Sequence, residues 1–371
     1  MFLVGVGHKT GPQKWTSSDS LEELAQLVKT AGGETVGKLI QFLKTPSPTY
    51  YLGKGKINEL LNLRQQTKYD TVAFDDELSP RQQRNLEEIL QAKIIDRTVI
   101  ILDIFSKQAR SREGKYQIEF AQHQYLLPRL IGQWTHLERL GGGIGTRGPG
   151  ESQLETDRRL IRKRINRLQK KIDQIGQFRK LQRRQRKASR IPVIAVVGYT
   201  NSGKSTLFNT LSKASVTVED KLFSTLDTVT RRLTLSNGES LLLTDTVGFI
   251  RKLPSSIIAA FRSTLEELNE ADLFLHVVDI THKDAANQCL AVDEILENLH
   301  VSHKPRISVF NKLDLVLSNE TELEEITAVP HFEEEFILPN NDICMISAGK
   351  NWGITRLLDK IKIKLNSDSI C

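Results

Sequence analysis

Cysteine is scarce in this chain of 371 residues. Cys289, Cys344 and Cys371 are odd in number and far apart, with no CxxC. That excludes a disulfide framework and a thiolate zinc site, and it fits a reducing cytoplasm. The eight histidines form no HExxH, so the common zinc-hydrolase helix is missing as well. No apolar run approaches the ~20 residues that a bilayer-spanning helix needs, so membrane insertion is not expected. The first residues, MFLVGVGHKTG, have no basic leader and too short an apolar run for a signal peptide. A cytoplasmic protein is the expectation. What is present is 39% hydrophobic and 26% charged, the make-up of a globular chain long enough for two or three domains. The net charge of +7 makes a polyanionic partner worth considering.

Residues 1–106 alternate apolar runs with amphipathic ones. FLVGVG, GKLIQFL, TVAFDD and TVIILDIF read as strands or buried segments; SLEELAQLVKTA, KINELLNLRQQ and SPRQQRNLEEIL read as helices. Ser79 is a plausible cap for the last, with Pro80 at its first position. The alternation predicts a small α/β layer with a parallel sheet. GKGK at Gly53–Lys56 is better read as a strand-to-helix turn than as a cofactor loop.

Residues 107–190 form a second region. EFAQHQYLLPRLIGQWTHLERL reads as helical pieces broken near Pro128. A glycine segment follows, with six Gly among the ten residues from Gly141 to Gly150, and then a long helix. Ser152 and Glu155 make a capping box, which predicts a helix start near Ser152. Ile161, Ile165, Leu168, Ile172 and Ile175 keep a 4-3-4-3 spacing, the seam of an antiparallel hairpin with the preceding helix. From Thr156 to Arg190, fifteen Lys or Arg face two acids, Asp157 and Asp173, a local +13. The rest of the chain therefore carries about −6, and the basicity is one local feature. Solvated helix faces usually interleave Glu with Lys, so a bound polyanion such as RNA is the stronger reading and a plain solvated helix the alternative. Phe178 is the lone aromatic there, which favours backbone and shape contacts over base stacking.

Residues 191–366, with a short tail at 367–371, carry legible chemistry. The loop from Gly198 through Tyr199, Thr200, Asn201, Ser202 and Gly203 to Lys204 and Ser205 matches G-x-x-x-x-G-K-S, between a buried strand at Val193–Val197 and a helix. A chance match in a chain this long is about one in a hundred. Such a loop cradles phosphates with its amides; Lys204 reaches the β- and γ-phosphates and the Ser205 hydroxyl ligates Mg²⁺. The glycines at Gly141–Gly150 have no lysine at the corresponding place and read as a joint or contact loop.

Asn311, Lys312, Leu313 and Asp314 form N-K-x-D after a strand. The Asp314 carboxylate suits the N1–H and exocyclic amine of guanine; adenine would leave it buried and unpaired. Asn311 is expected to brace the loop and Lys312 to cover the ring. Ser347 and Ala348 supply the complementary loop, with an amide near the guanine O6. Asp245, Thr246, Val247 and Gly248 match D-x-x-G after a hairpin at SNGE. Asp245 is expected to hold a Mg²⁺-bound water, and the Gly248 amide to sense the γ-phosphate. The first switch is placed in DKLFSTLDTVTRR, with Thr225 as the second Mg²⁺ ligand, its carbonyl orienting the attacking water; Thr228 and Thr230 are the rivals. Phe249 follows Gly248 where Ras-like switches carry a water-positioning glutamine. Unassisted hydrolysis is therefore expected to be slow, and either a partner or a monovalent cation must help. K⁺ beside Asn201 is one candidate, a loop-bracing asparagine the other.

With these residues in view, the chain resembles the HflX family of ribosome-associated GTPases. The resemblance rests on YYLGKGKI, FDDELSPRQQRNLE, GGGIGTRGPGESQLETDRR, GYTNSGKSTLFN, LFSTLDTVTRR, TDTVGFIRKLP and NKLD. It implies an N-terminal α/β domain with a helical hairpin, joined through the glycine element to a Ras-like P-loop GTPase domain with a mostly parallel sheet. It implies GTP/GDP and Mg²⁺ as ligands, and nucleotide contacts also at Phe223, Ser224, Leu226, Asp227 and Gly349. It implies a monomer that binds the rRNA of the large ribosomal subunit and, in its GTP state, splits stalled or idle ribosomes. Arg147, Arg158 and Arg159 beside the glycine loop are then candidates to relay nucleotide state. A GTP-dependent partner in RNA modification or ribosome assembly is the alternative, and a vestigial GTPase that tethers RNA a third reading.

Overall fold

The computed structural model describes residues 1–8, 16–130, 149–188, 191–213, 222–235, 238–254, 257–258, 261, 266–321 and 343–367. Residues 141–148 of the expected glycine loop, Arg147 among them, lie outside the described residues. The chain divides into two compact units. One takes Met1–Ile175 and Pro254–Ala260; the other takes Gly176–Leu253 and Phe261–Cys371.

The first unit begins with β1 (Phe2–His8), α1 (Ser17–Thr30), β2 (Gly37–Leu43), α2 (Lys54–Thr67), β3 (Thr71–Phe74), α3 (Pro80–Leu90) and β4 (Lys93–Asp96). The four strands make a parallel sheet in the order β2-β1-β3-β4. β3 is buried at every position, as a parallel strand covered on both faces must be. Leu3, Val4, Val72 and Phe74 of the sheet, with Leu60, Leu86 and Leu90 from the helices, are fully buried. Ser79 caps α3 with its hydroxyl, Gln82 answers to the Ser79 amide, and Pro80 opens the first turn. Gly53 is the N-cap of α2 and Lys54–Lys56 form its first turn, so GKGK opens a helix rather than forming a strand-to-helix turn.

One apolar run, expected as a strand or a buried segment, is buried but helical. Thr98–Phe105 lies within the helix α4 (Arg97–Gln108). Asp96, the last residue of β4, ends the strand and caps the helix, its Oδ1 accepting from the Val99 amide at 3.2 Å. Burial of Ile100, Ile101, Leu102, Ile104 and Phe105 makes the helix apolar nearly all round, so its pattern carries no 3.6-residue stripe. α5 (Arg112–Leu126) follows, and α6 (Pro149–Ala188) runs antiparallel to it. Arg164 meets Glu119, and farther along α6 Lys171 meets Tyr116, earlier on α5. Leu168 and Ile172 are buried and Ile161, Ile165 and Ile175 half-buried, so the seam spacing is realised. α6 starts at Pro149, three residues before the capping box suggests; proline suits a first helical turn, whose amides have no helical partner.

The second unit is a six-stranded sheet, order β10-β9-β8-β5-β7-β6. Its elements are β5 (Val193–Gly198), α7 (Lys204–Ser212), β6 (Val229–Thr234), β7 (Ser240–Asp245), β8 (Leu273–Asp279), α8 (Ala285–Asn298), β9 (Arg306–Asn311), β10 (Ile343–Met345) and α9 (Ile354–Ser367). Among the described strand pairs only β6–β7 is antiparallel, and at its end the Leu235 amide donates to the Glu239 carbonyl at 2.8 Å; Ser236 and Asn237 of the expected turn lie outside the described residues. β5 and β8 are central and almost wholly apolar; Val196, Leu275 and Val277 pack with Phe208 of α7 and Leu357 of α9. This core fixes the carboxyl ends of β5, β7 and β9, where the motif residues stand.

Candidate nucleotide site

Gly198 ends β5, Asp245 ends β7 and Asn311 ends β9. An open α/β sheet places its ligand site at such strand ends. The loop after Gly198 turns into α7 at Gly203, whose φ is +94°. A Cβ there would stand 2.2 Å from Asn311 Nδ2, so only glycine fits. Asn311 in turn joins two loops: Nδ2 donates to the Ser202 carbonyl at 3.0 Å, and Oδ1 accepts from the Ala348 amide at 2.9 Å.

A cleft is lined by Thr200, Asn201, Gly203, Lys204, Ser205, Thr206, Phe223, Ser224, Thr225 and Gly248. At its floor three oxygens converge. Ser205 Oγ lies 2.6 Å from Thr225 Oγ1 and donates to Asp245 Oδ2 at 2.8 Å; Thr225 Oγ1 donates to the same oxygen at 3.1 Å. Of the three candidate threonines, Thr225 is the one whose hydroxyl meets Ser205 and Asp245; Thr230 pairs with Thr244 across the β6–β7 ladder, and Thr228 stands just before β6. Asp245 is fully buried, and its Oδ1 has no hydrogen-bond partner. Burial pushes its carboxyl upward, against hydrogen bonds from Ser205 and the charge of Lys204. A hard divalent cation suits this all-oxygen set with a spare carboxylate oxygen.

Lys204 is buried, and its Nζ donates to the Tyr199 carbonyl at 2.6 Å. Desolvation brings its pKa down to about 8, against the pull of Asp245. Gly248 comes close: a Cβ would meet Thr200 Cα at 2.9 Å and Lys204 Nζ at 3.0 Å. Phe249 is buried, outside the cleft lining, and its backbone makes a bridge with Tyr199. The nearest candidate for a water-orienting side chain after Gly248 is thus packed away.

At the other end of the site, Asp314 accepts from the Ser347 hydroxyl. Lys312 has a left-handed φ of +69°, and its Nζ pairs with Asp279 at 2.7 Å. Leu226, Val247 and Leu313 have buried side chains, so any nucleotide contact at these positions is through backbone. Thr246 Oγ1 donates to the Val196 carbonyl, while Gly349 is exposed. Sequence reasoning missed Asp279; an aspartate at a strand end is too common to stand out. It also missed the side-chain bonds of Tyr199 and Thr200, which fall on unspecified positions of the motif.

Comparison with known proteins agrees with this geometry. Residues 18–106, 108–186 and 193–312 match family models described as GTP-binding GTPase N-terminal, GTP-binding GTPase Middle Region and 50S ribosome-binding GTPase. The GTPase HflX of Caldanaerobacter subterraneus subsp. tengcongensis is 48% identical over 347 residues, 94% of this chain and 77% of that protein. The GTPase HflX of Escherichia coli K12 is 41% identical over 350 residues, 94% of this chain and 80% of that one. Among solved structures, the SsGBP–GDP complex aligns over all of both chains with a TM-score of 0.50 and 27% identity.

Proposed function

Because the chain belongs to the HflX family of GTPases, we propose that its GTP cycle governs binding to the large ribosomal subunit and the separation of stalled or idle ribosomes. It binds guanine nucleotide and hydrolyses GTP; the proposal concerns what that hydrolysis is coupled to. The observation that carries it is the basic stripe on α6. Arg159, Arg162, Lys163, Arg167 and Lys170 are all exposed there. A helix with so few acids repels itself unless an anion covers it, and ribosomal RNA supplies one. The family model described as a 50S ribosome-binding GTPase supports the same partner. Among the described residues no helix is long and apolar enough to cross a membrane.

In the nucleotide site, Lys204 faces the β- and γ-phosphates and the Gly248 amide faces the γ-phosphate. Asp314 reads guanine, Asn311 ties the base and phosphate loops together, and Lys312 lays its stem on the ring. Ser205 and Thr225 would hold Mg²⁺ with their hydroxyls, and Asp245 beside them would hold a water on it. Held there, a divalent cation would supply charge stabilisation to the leaving phosphate. The Thr225 carbonyl orients the attacking water, which displaces GDP from the γ-phosphorus. With Phe249 buried, no side chain there positions the water, so unassisted turnover is slow and ribosome contact or K⁺ at Asn201 accelerates it. Comparing rates in K⁺ and Na⁺, with and without ribosomes, separates the two.

The test is sedimentation of purified ribosomes with the protein through sucrose gradients. With a non-hydrolysable GTP analogue, the protein is expected on the large subunit and the ribosome peak is expected to separate into subunits. With GDP, binding is expected to be weaker and to fall steeply with salt. Equal co-sedimentation with analogue, GDP and no nucleotide overturns the reading.

A further inference from the structure

Directly after Gly198 the phosphate loop carries two large side chains, Tyr199 and Thr200. Cradling a phosphate needs neither, because backbone amides do that. Both are nonetheless buried, at 4% and 5% exposure. Each holds an amide of a different segment. Thr200 Oγ1 accepts from the Phe223 amide at 2.8 Å, two residues before Thr225. The Tyr199 hydroxyl accepts from the Arg251 amide at 2.9 Å, three residues after Gly248.

Backbone bonds complete the fastening. The Phe249 amide donates to the Gly198 carbonyl at 3.1 Å, and the Phe249 carbonyl accepts from the Thr200 amide at 2.7 Å. Phe223 is buried with φ +58°, a conformation that a phenylalanine keeps only under constraint from its surroundings. The Phe223 amide is buried and the Arg251 amide partly buried; an amide taken from water without an acceptor is costly, so each hydroxyl favours the place where its segment sits.

We infer that Tyr199 and Thr200 are positioning residues for GTP hydrolysis, their hydroxyls fastening to the phosphate loop the two segments that carry Thr225 and Gly248. The inference rests on those two residues facing the γ-phosphate, as proposed above. It locates the organisation of the γ-phosphate end in side chains of the phosphate loop. GDP, which lacks that phosphate, gains nothing from the fastening; GTP does, because both segments are already held where it needs them.

The experiment uses the full chain without ribosomes, so its outcome is independent of the ribosome proposal. Single-turnover GTP hydrolysis and the affinities for GDP and a GTP analogue are measured for Thr200→Val, Thr200→Ser and Tyr199→Phe. Thr200→Val keeps the shape and removes the acceptor. It is expected to slow hydrolysis and weaken the analogue by about tenfold, leaving GDP affinity unchanged. Thr200→Ser restores the oxygen and is expected to recover most of the loss. Tyr199→Phe keeps the ring and is expected to shift the same two quantities in the same direction, by about threefold. Should Thr200→Val fail to fold, Tyr199→Phe decides alone. Equal losses for GDP and analogue, no change in either quantity, or no rescue by serine overturns the inference.

Discussion

The two units are both built on parallel strands, yet they finish those strands in opposite ways. In the first unit Asp75 follows β3 and Asp96 ends β4. Both carboxylates are answered from within. Arg97, buried completely, pairs with Asp75 and Glu23. Burial alone would lower the Arg97 pKa; its two carboxylate partners more than offset that and move it upward. Asp96 takes donors from Leu78, Val99, Tyr125 and Arg129. In the second unit Asp245 also ends a strand, but it leaves one oxygen without a partner, and Lys204 beside it satisfies itself on a loop carbonyl. The lesson is that a parallel sheet gives only the place for a ligand. Whether one binds depends on whether the polar groups there are already satisfied by the chain.

Removing one buried cation from each unit puts that contrast to the test. Lys204→Ala is expected to cut GTP hydrolysis by more than about 10²-fold, while thermal unfolding moves little. A large loss of stability with nucleotide binding retained would erase the difference between the units. Arg97→Met is expected to do the reverse. It leaves Asp75 and Glu23 buried without their cation, at a cost of about 3–5 kcal/mol in denaturant unfolding. Intrinsic GTP turnover in folded protein should hold.

A smaller effect concerns His276 on β8. It is fully buried near Arg306, and desolvation first, then the charges of Arg306 and Lys204, bring its pKa down to about 3. The folded state therefore refuses a proton that the unfolded chain accepts near its ordinary value of 6.5. Stability from this group is complete above that value and is lost as pH falls toward 3, by about 1.4 kcal/mol per unit once well below 6.5. His276→Phe should flatten the pH dependence of unfolding over that window; matching slopes for the two proteins would contradict the buried neutral imidazole. The smallest expected change is for Phe249→Gln. Because that side chain is packed away from the cleft, intrinsic hydrolysis should stay within about twofold or fall. A marked acceleration would mean that position 249 reaches the attacking water.

The phosphate loop, D-x-x-G and N-K-x-D could be read directly because each motif requires particular residue types at fixed spacing. Thr225 was separable from Thr228 and Thr230 only in three dimensions, where its hydroxyl reaches Ser205 and Asp245. Thr98–Phe105 read as a strand or buried segment, because a helix buried on all sides shows no stripe and the cap that starts it, Asp96, also closes the preceding strand. Arg97, next to that cap, carries no sign in the sequence that it is the most deeply buried cation among the described residues of its unit. Its partners Asp75 and Glu23 are distant along the chain.

The sequence alone determined that this is a guanine-directed P-loop protein with one intensely basic helix, since local spacing and local charge are properties of neighbours in the chain. Tertiary structure decided which threonine joins the oxygens of Ser205 and Asp245, where Phe249 hides, and which hydroxyls hold the amides of Phe223 and Arg251. Those outcomes depend on contacts between residues 20 to 52 positions apart, and no local pattern encodes the closing of such contacts in a packed core.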